Sequence, residues 1–105
     1  MEIIEAPIFT KKIEELISSE SYRELQSKLI VDPHFGNVIS GGNGIRKLRW
    51  SFPGKGKRGG IRVVYYWMGK ENIIYMIIAY KKSEKEDLTK DQLKQIALYV
   101  KGCLL

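Results

Sequence analysis

The sequence predicts an α+β fold, an antiparallel sheet with helices segregated onto it. Three observations predict it. Apolar residues recur at helical spacing near both ends of the chain, and at period two or as a solid apolar run in the middle. The central strands are separated by short, glycine-bearing turns, and strands joined that way pair antiparallel. A length of 105 residues leaves room for a single domain spanning residues 1–105 and no second core.

The elements follow in the order β-α-α-β-β-β-α. Glu2 to Glu5 carries Ile3 and Ile4 and forms a short first strand. Pro7 suits the first turn of a helix, where its missing N–H costs nothing. Phe9, Ile13, Leu16 and Ile17 then give that helix one apolar stripe. Ser18 and Ser19 interrupt it. Ser21 and Glu24 have the spacing of a capping box, and Tyr22, Leu25, Leu29 and Ile30 form the apolar face of a second helix that Asp32-Pro33 ends. The result is a helical hairpin whose faces need a cover. Residues 33 to 43, with Gly36, Gly41 and Gly42, read as a loop. Ile45 to Ser51 alternates as a strand, Gly60 to Met68 is a second, and Gly69–Asn72 is a hairpin turn leading to Ile73–Tyr80. That last strand is apolar on both faces, as a strand covered on each side should be. Ser83 to Leu88 is a polar loop. Thr89 and Gln92 repeat the capping-box spacing, and Leu93, Ile96, Ala97, Val100 and Leu104 make the stripe of a C-terminal helix.

Charge is distributed unevenly. From Pro33 to Lys70 there is no Asp or Glu, and there are eight basic residues: Arg46, Lys47, Arg49, Lys55, Lys57, Arg58, Arg62 and Lys70. The net charge of +6 is thus +8 in this segment and −2 elsewhere. A basic hairpin on a balanced scaffold, in a chain of pI about 9.5, points to a polyanionic partner. Arg46, Lys47, Arg49 and Arg58 are the set expected to bind nucleic acid. The start MEIIEAPIF has neither a basic region nor a long apolar run, so no signal peptide is expected. No apolar run is long enough to span a membrane. A single cysteine, Cys103, excludes a disulfide-built secreted fold. A cytoplasmic location is expected.

Gly54-Lys55-Gly56-Lys57-Arg58-Gly59 matches G-x-G-x-x-G letter by letter. A dinucleotide fingerprint must open a helix, and here a strand follows. A Walker loop needs Lys-Ser or Lys-Thr after its last glycine, where Gly60-Ile61 stands. What remains is glycine backbone that admits close approach, with Lys55, Lys57 and Arg58 as phosphate donors. Arg62 lies inside the strand I-R-V-V-Y-Y-W, where a charge needs a reason. It serves either a salt bridge to a helix carboxylate or a phosphate gripped by its planar fork. A plain hairpin register about Gly69–Asn72 sets Arg62 across from Ala79, with Lys81 as same-face neighbour and Lys82 on the other face; a one-residue slip would exchange them. His34 has no metal-spaced companions and reads as an exposed loop histidine, and Cys103 reads as packing. Neither a zinc pattern nor a Ser-His-Asp or Cys-His arrangement is present. Tyr65, Tyr66, Trp67, Tyr75 and Tyr80 have the chemistry to stack bases, though strand positions of this kind more often fill a core.

The pattern G-x-R-K-x-R, the loop G-K-G-K-R-G-G, the strand R-V-V-Y-Y and the ending Y-K-K-S-E-K-E-D-L-T together resemble the RelE/ParE superfamily of bacterial toxins, and most of all its HigB-like branch. The likeness runs over nearly the whole chain and includes the element order. It implies a RelE-like fold and a ribosome-dependent mRNA endonuclease that uses no cofactor or metal. In such toxins a 2′-hydroxyl attacks the adjacent phosphate of an A-site codon, leaving a 2′,3′-cyclic phosphate and a 5′-hydroxyl. The family's catalytic cations, carried over by motif, are Lys55 and Lys57 on the loop, Arg62 on the strand, and Lys81 or Lys82 at the end of the last strand. The resemblance makes RNA the nucleic acid expected on Arg46, Lys47, Arg49 and Arg58. Some relatives add a tyrosine or histidine near the C-terminus as general base; Tyr99 stands in that helix, in a context that departs from the pattern. The implied partners are the 70S ribosome with its mRNA and a cognate helix-turn-helix antitoxin, through which alone operator DNA would be reached. Two other functions fit the same residues less fully: a ParE-like inhibitor of DNA gyrase, and a non-catalytic RNA- or ribosome-binding module.

Overall fold

The computed structural model describes residues 1–51, 60–82 and 88–104, with the side chains of residues 103 and 104 excepted. Its elements are β1 (Glu2–Glu5), α1 (Pro7–Leu16), α2 (Ser19–Val31), β2 (Asn37–Val38), β3 (Arg46–Trp50), β4 (Ile61–Met68), β5 (Ile73–Lys81), α3 (Lys90–Tyr99) and a closing π-helical turn, Val100–Leu104. The strands form one sheet in the order β1-β5-β4-β3-β2. Residues 52–59, which hold Lys55, Lys57, Arg58 and the G-x-G-x-x-G match, lie outside the described residues, as do 83–87 of the polar loop and the side chains of Cys103 and Leu104.

The α+β expectation holds, with two differences in the sheet. β1 runs parallel to β5 at one edge. Short turns dictate antiparallel pairing only for the strands they join, and β1 is joined to β5 through the rest of the chain. At the other edge, Asn37 and Val38 pair with Lys47 and Arg46 inside the segment expected to be loop. Two residues are too few to show a period in the sequence.

The helix starts follow the local chemistry. Pro7 occupies the first turn of α1. At α2 the cap is Ser18, whose side chain accepts from the Ser21 N–H at 3.1 Å. Ser21, expected to be the cap, lies inside the helix, where its Oγ accepts from the Trp50 indole N–H at 3.0 Å. The capping box of α3 forms as expected: Thr89 Oγ1 accepts from the Gln92 N–H, and Gln92 Oε1 accepts from the Thr89 N–H.

The sheet carries a core on each face. Against one face, Phe9, Ile13 and Leu16 of α1 and Leu25 and Leu29 of α2 pack on Leu48, Ile61, Val63, Tyr65, Ile74, Met76 and Ala79. Ile30, expected on that helix face, is 49% exposed instead. Against the other face, Ala97 and Val100 pack on Ile45, Val64, Ile77 and Tyr80. Gly60 opens β4 at φ 49°, and a Cβ there would stand 2.4 Å from the Trp50 carbonyl oxygen. Only glycine brings the strands together at that point.

Candidate functional site

Pleating sets the basic side chains. On β3, Lys47 and Arg49 alternate with Leu48, which belongs to the helical-hairpin core, so both point to the α3 side of the sheet. On β4, Arg62 is in phase with Val64 and Tyr66 of the α3 core. The register aligns Arg49 with Arg62 and Arg62 with Tyr80. One row across three strands therefore reads Arg49–Arg62–Tyr80, and Lys47 lies opposite Val64 on the next row of the same face. Directly opposed side chains have Cβ atoms about 5 Å apart, and like charges so placed repel. Arg62 is moreover only 7% exposed. Its guanidinium donates to the Ile61 carbonyl at 3.5 Å, which helps to hold it in place.

The row borders a cavity of about 500 Å³. Its described lining is Phe35, Asn37, Lys47, Leu48, Arg49 and Arg62, three cations and no carboxylate. Two features of the fold leave it open. β2 is two residues long and pairs β3 only as far as Lys47. The α3 core takes in Ile45 on β3, Val64 and Tyr66 on β4 and Tyr80 on β5, while Lys47 and Arg49 line the cavity beside it.

Register decides between the two lysines at the end of β5. Residues 65–68 pair with 76–73 as the plain hairpin predicts, but Val64 pairs with Ile78, and Ile77 is an extra residue in β5. This β-bulge turns Ile77 and Ile78 both toward α3. Beyond it every pair is shifted by one, so Arg62 faces Tyr80 rather than Ala79, and Lys81 faces Ile61 on the helical-hairpin side. The expected preference for Lys81 is therefore reversed. Lys82, exposed at the first position past the strand, is the lysine in phase with Arg62.

Arg46 is employed elsewhere. It pairs with Tyr65 and Val38, and its guanidinium donates to the Gly36 carbonyl at 2.7 Å. The Tyr65 hydroxyl accepts from the Gly36 N–H and donates to the Pro33 carbonyl, both at 2.8 Å. Burial raises the pKa of that phenol, and the Gly36 bond and the nearby Arg46 partly offset it. Arg46 and Tyr65 thus fix the segment that delivers Phe35 and Asn37 to the cavity. Gly36 has no alternative, since a Cβ would meet the Tyr65 ring at 2.9 Å and the Lys47 backbone at 3.0 Å. His34 is exposed, as expected, with its ring edge-on to Trp67. Tyr99 is exposed on α3 and is not among the described lining residues.

The sequence placed Arg62 in a catalytic set and Lys47 and Arg49 in a separate RNA-binding set. The register brings these three together and adds Phe35, Asn37 and Tyr80 as neighbours that sequence reasoning missed. Alternation in I-R-K-L-R-W-S was the available signal for Arg49 opposite Arg62; nothing announced the bulge. Among the described residues no three His, Cys, Asp or Glu side chains come together as a metal would require. Chemically, the surface can hold a phosphate against a fixed guanidinium with a second and a third cation beside it.

Solved structures share this fold. The isolated E. coli RelE toxin superposes with a TM-score of 0.60 at 14% identity, covering 90% of this chain and 94% of that one. A mutant E. coli RelE in the free state gives 0.59 at 17% identity, covering 92% and 93%. A chain of the intact E. coli RelBE toxin–antitoxin complex gives 0.59 at 17%, covering 76% and 94%. In sequence, the family described as the RelE toxin of the RelE/RelB toxin–antitoxin system matches residues 30–104, which span β2 to the closing turn and every cation of the Arg49–Arg62 surface. The chain belongs to the RelE toxin family.

Proposed function

We propose that this protein is the toxin of a toxin–antitoxin pair and cleaves messenger RNA in the ribosomal A site. The row of Arg49 against Arg62 at the edge of an open, cation-lined cavity carries this reading. The two opposed arginines present a pair of guanidinium groups to an RNA phosphate. In the reaction the 2′-oxygen forms a bond to phosphorus, the bond from phosphorus to the 5′-oxygen breaks, and a 2′,3′-cyclic phosphate and a 5′-hydroxyl result. The proton lost from the 2′-hydroxyl goes to a base, and the leaving 5′-oxygen gains one. Between those events the phosphorane carries extra negative charge. Arg62, held by the strand and by its burial, is the group that stabilises it, with its charge in place before the charge develops. Lys55, Lys57 and Lys82 are the candidates for proton transfer, with Lys81 now on the far face. Lys47, Arg49 and Arg58 hold the strand of RNA. The partner is an antitoxin, in keeping with the family's description and with the E. coli RelBE complex, and a helix-turn-helix one if the HigB-like resemblance extends to it.

Arg62→Ala tests this. The variant should fold, as judged by its circular dichroism and melting, and should lose growth inhibition. Primer extension on translated mRNA should show A-site cuts reduced about 100- to 1,000-fold, the usual effect of removing one transition-state stabiliser. A folded Arg62→Ala protein that still cuts would sink the assignment. Arrest of DNA supercoiling before translation would move the function to gyrase.

A further inference from the structure

The described lining of the cavity combines two chemistries: Lys47, Arg49 and Arg62 are cationic, and Phe35 and Asn37 are aromatic and amide-bearing. Phe35 is 36% exposed in a loop, a large apolar side chain left partly in water. Its backbone is nonetheless held. The Phe35 N–H donates to the Asp32 carbonyl at 3.0 Å, and the residues on either side are tied through the Pro33 and Gly36 bonds to Tyr65 and the Gly36 bond to Arg46. Lys28 sits 4.9 Å from the ring centroid and supports it from α2. Asn37 is exposed, starts β2 and is directly paired with Lys47, which places an amide donor and acceptor beside a cation of the cavity. A rigid aromatic, an amide and a set of cations around about 500 Å³ are the complements of a base plane, a base edge and a phosphate.

We infer that Phe35 and Asn37 form a base-binding subsite for one RNA nucleotide whose phosphate lies on Arg49 and Arg62. The inference rests on the proposed function and adds to it a determinant of which nucleotides are accepted. Phe35 supplies the stacking plane, which any base can use, and Asn37 supplies the hydrogen bonds that discriminate between bases.

The test uses the full chain, isotopically labelled, and the four homotrimeric 2′-O-methyl RNA oligonucleotides, which cannot be cleaved. Titration followed by NMR should shift the Phe35 ring and the Asn37 side-chain amide together with Lys47, Arg49 and Arg62, for at least one trimer. Phe35→Leu retains apolar bulk without a π face and should weaken that trimer's binding about tenfold. Phe35→Trp should restore it. An abasic trimer should bind the wild type no better than the cognate trimer binds Phe35→Leu. If the cations shift while Phe35 and Asn37 do not, or if a folded Phe35→Leu binds like the wild type, the subsite is overturned and the phosphate site stands. If no trimer shifts any of these residues, both fall.

Discussion

The two faces of the sheet are built on the same strands and meet opposite demands. One is covered by two helices, and its core runs unbroken from Phe9 to Ala79. The other is covered by α3, which reaches Ile45, Val64, Ile77 and Tyr80, while Lys47 and Arg49 line the cavity beside that core. Several polar groups on the first face are paired within the protein, although the buried Trp67 indole N–H has no hydrogen-bond partner among the described residues. The Glu5 carboxylate accepts from Thr10 and Tyr22, and Trp50 donates to Ser21. On the second face the strands set two arginines opposite each other. The first face is closed by apolar packing, and the second presents cations beside its core, the arrangement expected if this side is the one that meets RNA.

The largest effect should come from breaking the closed face. Phe9 is fully buried and packs obliquely on Tyr22 with ring centroids 5.9 Å apart. Phe9→Ala should cost about 3–5 kcal/mol, which is a large share of a small domain's stability. Denaturant unfolding checks it. At concentrations of denaturant where the variant remains folded, its RNA affinity should equal that of the wild type, because Phe9 touches only the closed side.

A smaller effect links the faces. Tyr65 lies in the closed core, yet its hydroxyl holds the segment that carries Phe35 and Asn37. Tyr65→Phe leaves the buried Gly36 N–H without that acceptor and should cost about 1–3 kcal/mol, with RNA affinity falling as the segment loosens. The phenol also has a pH signature. Burial raises the pKa of Tyr65, and burial followed by the Glu5 bond raises that of Tyr22, above the ordinary 10.0. Each group binds its proton more tightly folded than unfolded, so its stabilisation is complete below pH 10 and is lost as pH rises toward the folded value. Alkaline unfolding should therefore be steeper in the wild type than in Tyr65→Phe.

Much of this was legible in the chain. Helical spacing gave α1 and α3, alternation gave β3, and the Thr89–Gln92 pair marked the start of α3 by the bonds it forms. The acid-free segment from Pro33 to Lys70 contains the cations of the candidate surface. What was illegible had physical causes. β2 is stabilised by pairing with Lys47 and Arg46 and has no pattern of its own. The Ile77 bulge is hidden in an apolar run, IIYMIIAY, where either register buries hydrophobic side chains, so side-chain polarity cannot report the slip. That slip moved Lys81 off the site. Ile30 follows the helical stripe but lies past the edge of what the sheet covers. Phe35 looked like an incidental loop residue, because the bonds that make it rigid come from Tyr65 and Arg46, distant in sequence.

The smallest predicted change in stability is the most discriminating, because its sign is opposite to the others. Arg49 is exposed and faces Arg62 across the β3–β4 ladder. Arg49→Gln removes the repulsion while keeping a long polar side chain. The folded protein should gain up to about 1 kcal/mol, measured as a higher denaturant midpoint with an unchanged slope. RNA binding should weaken, and the slope of log affinity against log salt should fall by about 0.7, the share of one phosphate contact on a single strand. Adding uncleavable RNA should then reverse the order of stability, since the wild type regains in binding what it gives up in folding. If Arg49→Gln were instead less stable without RNA, the arginine would be serving the fold, and the contrast between the two faces would fail at the residue chosen to represent it.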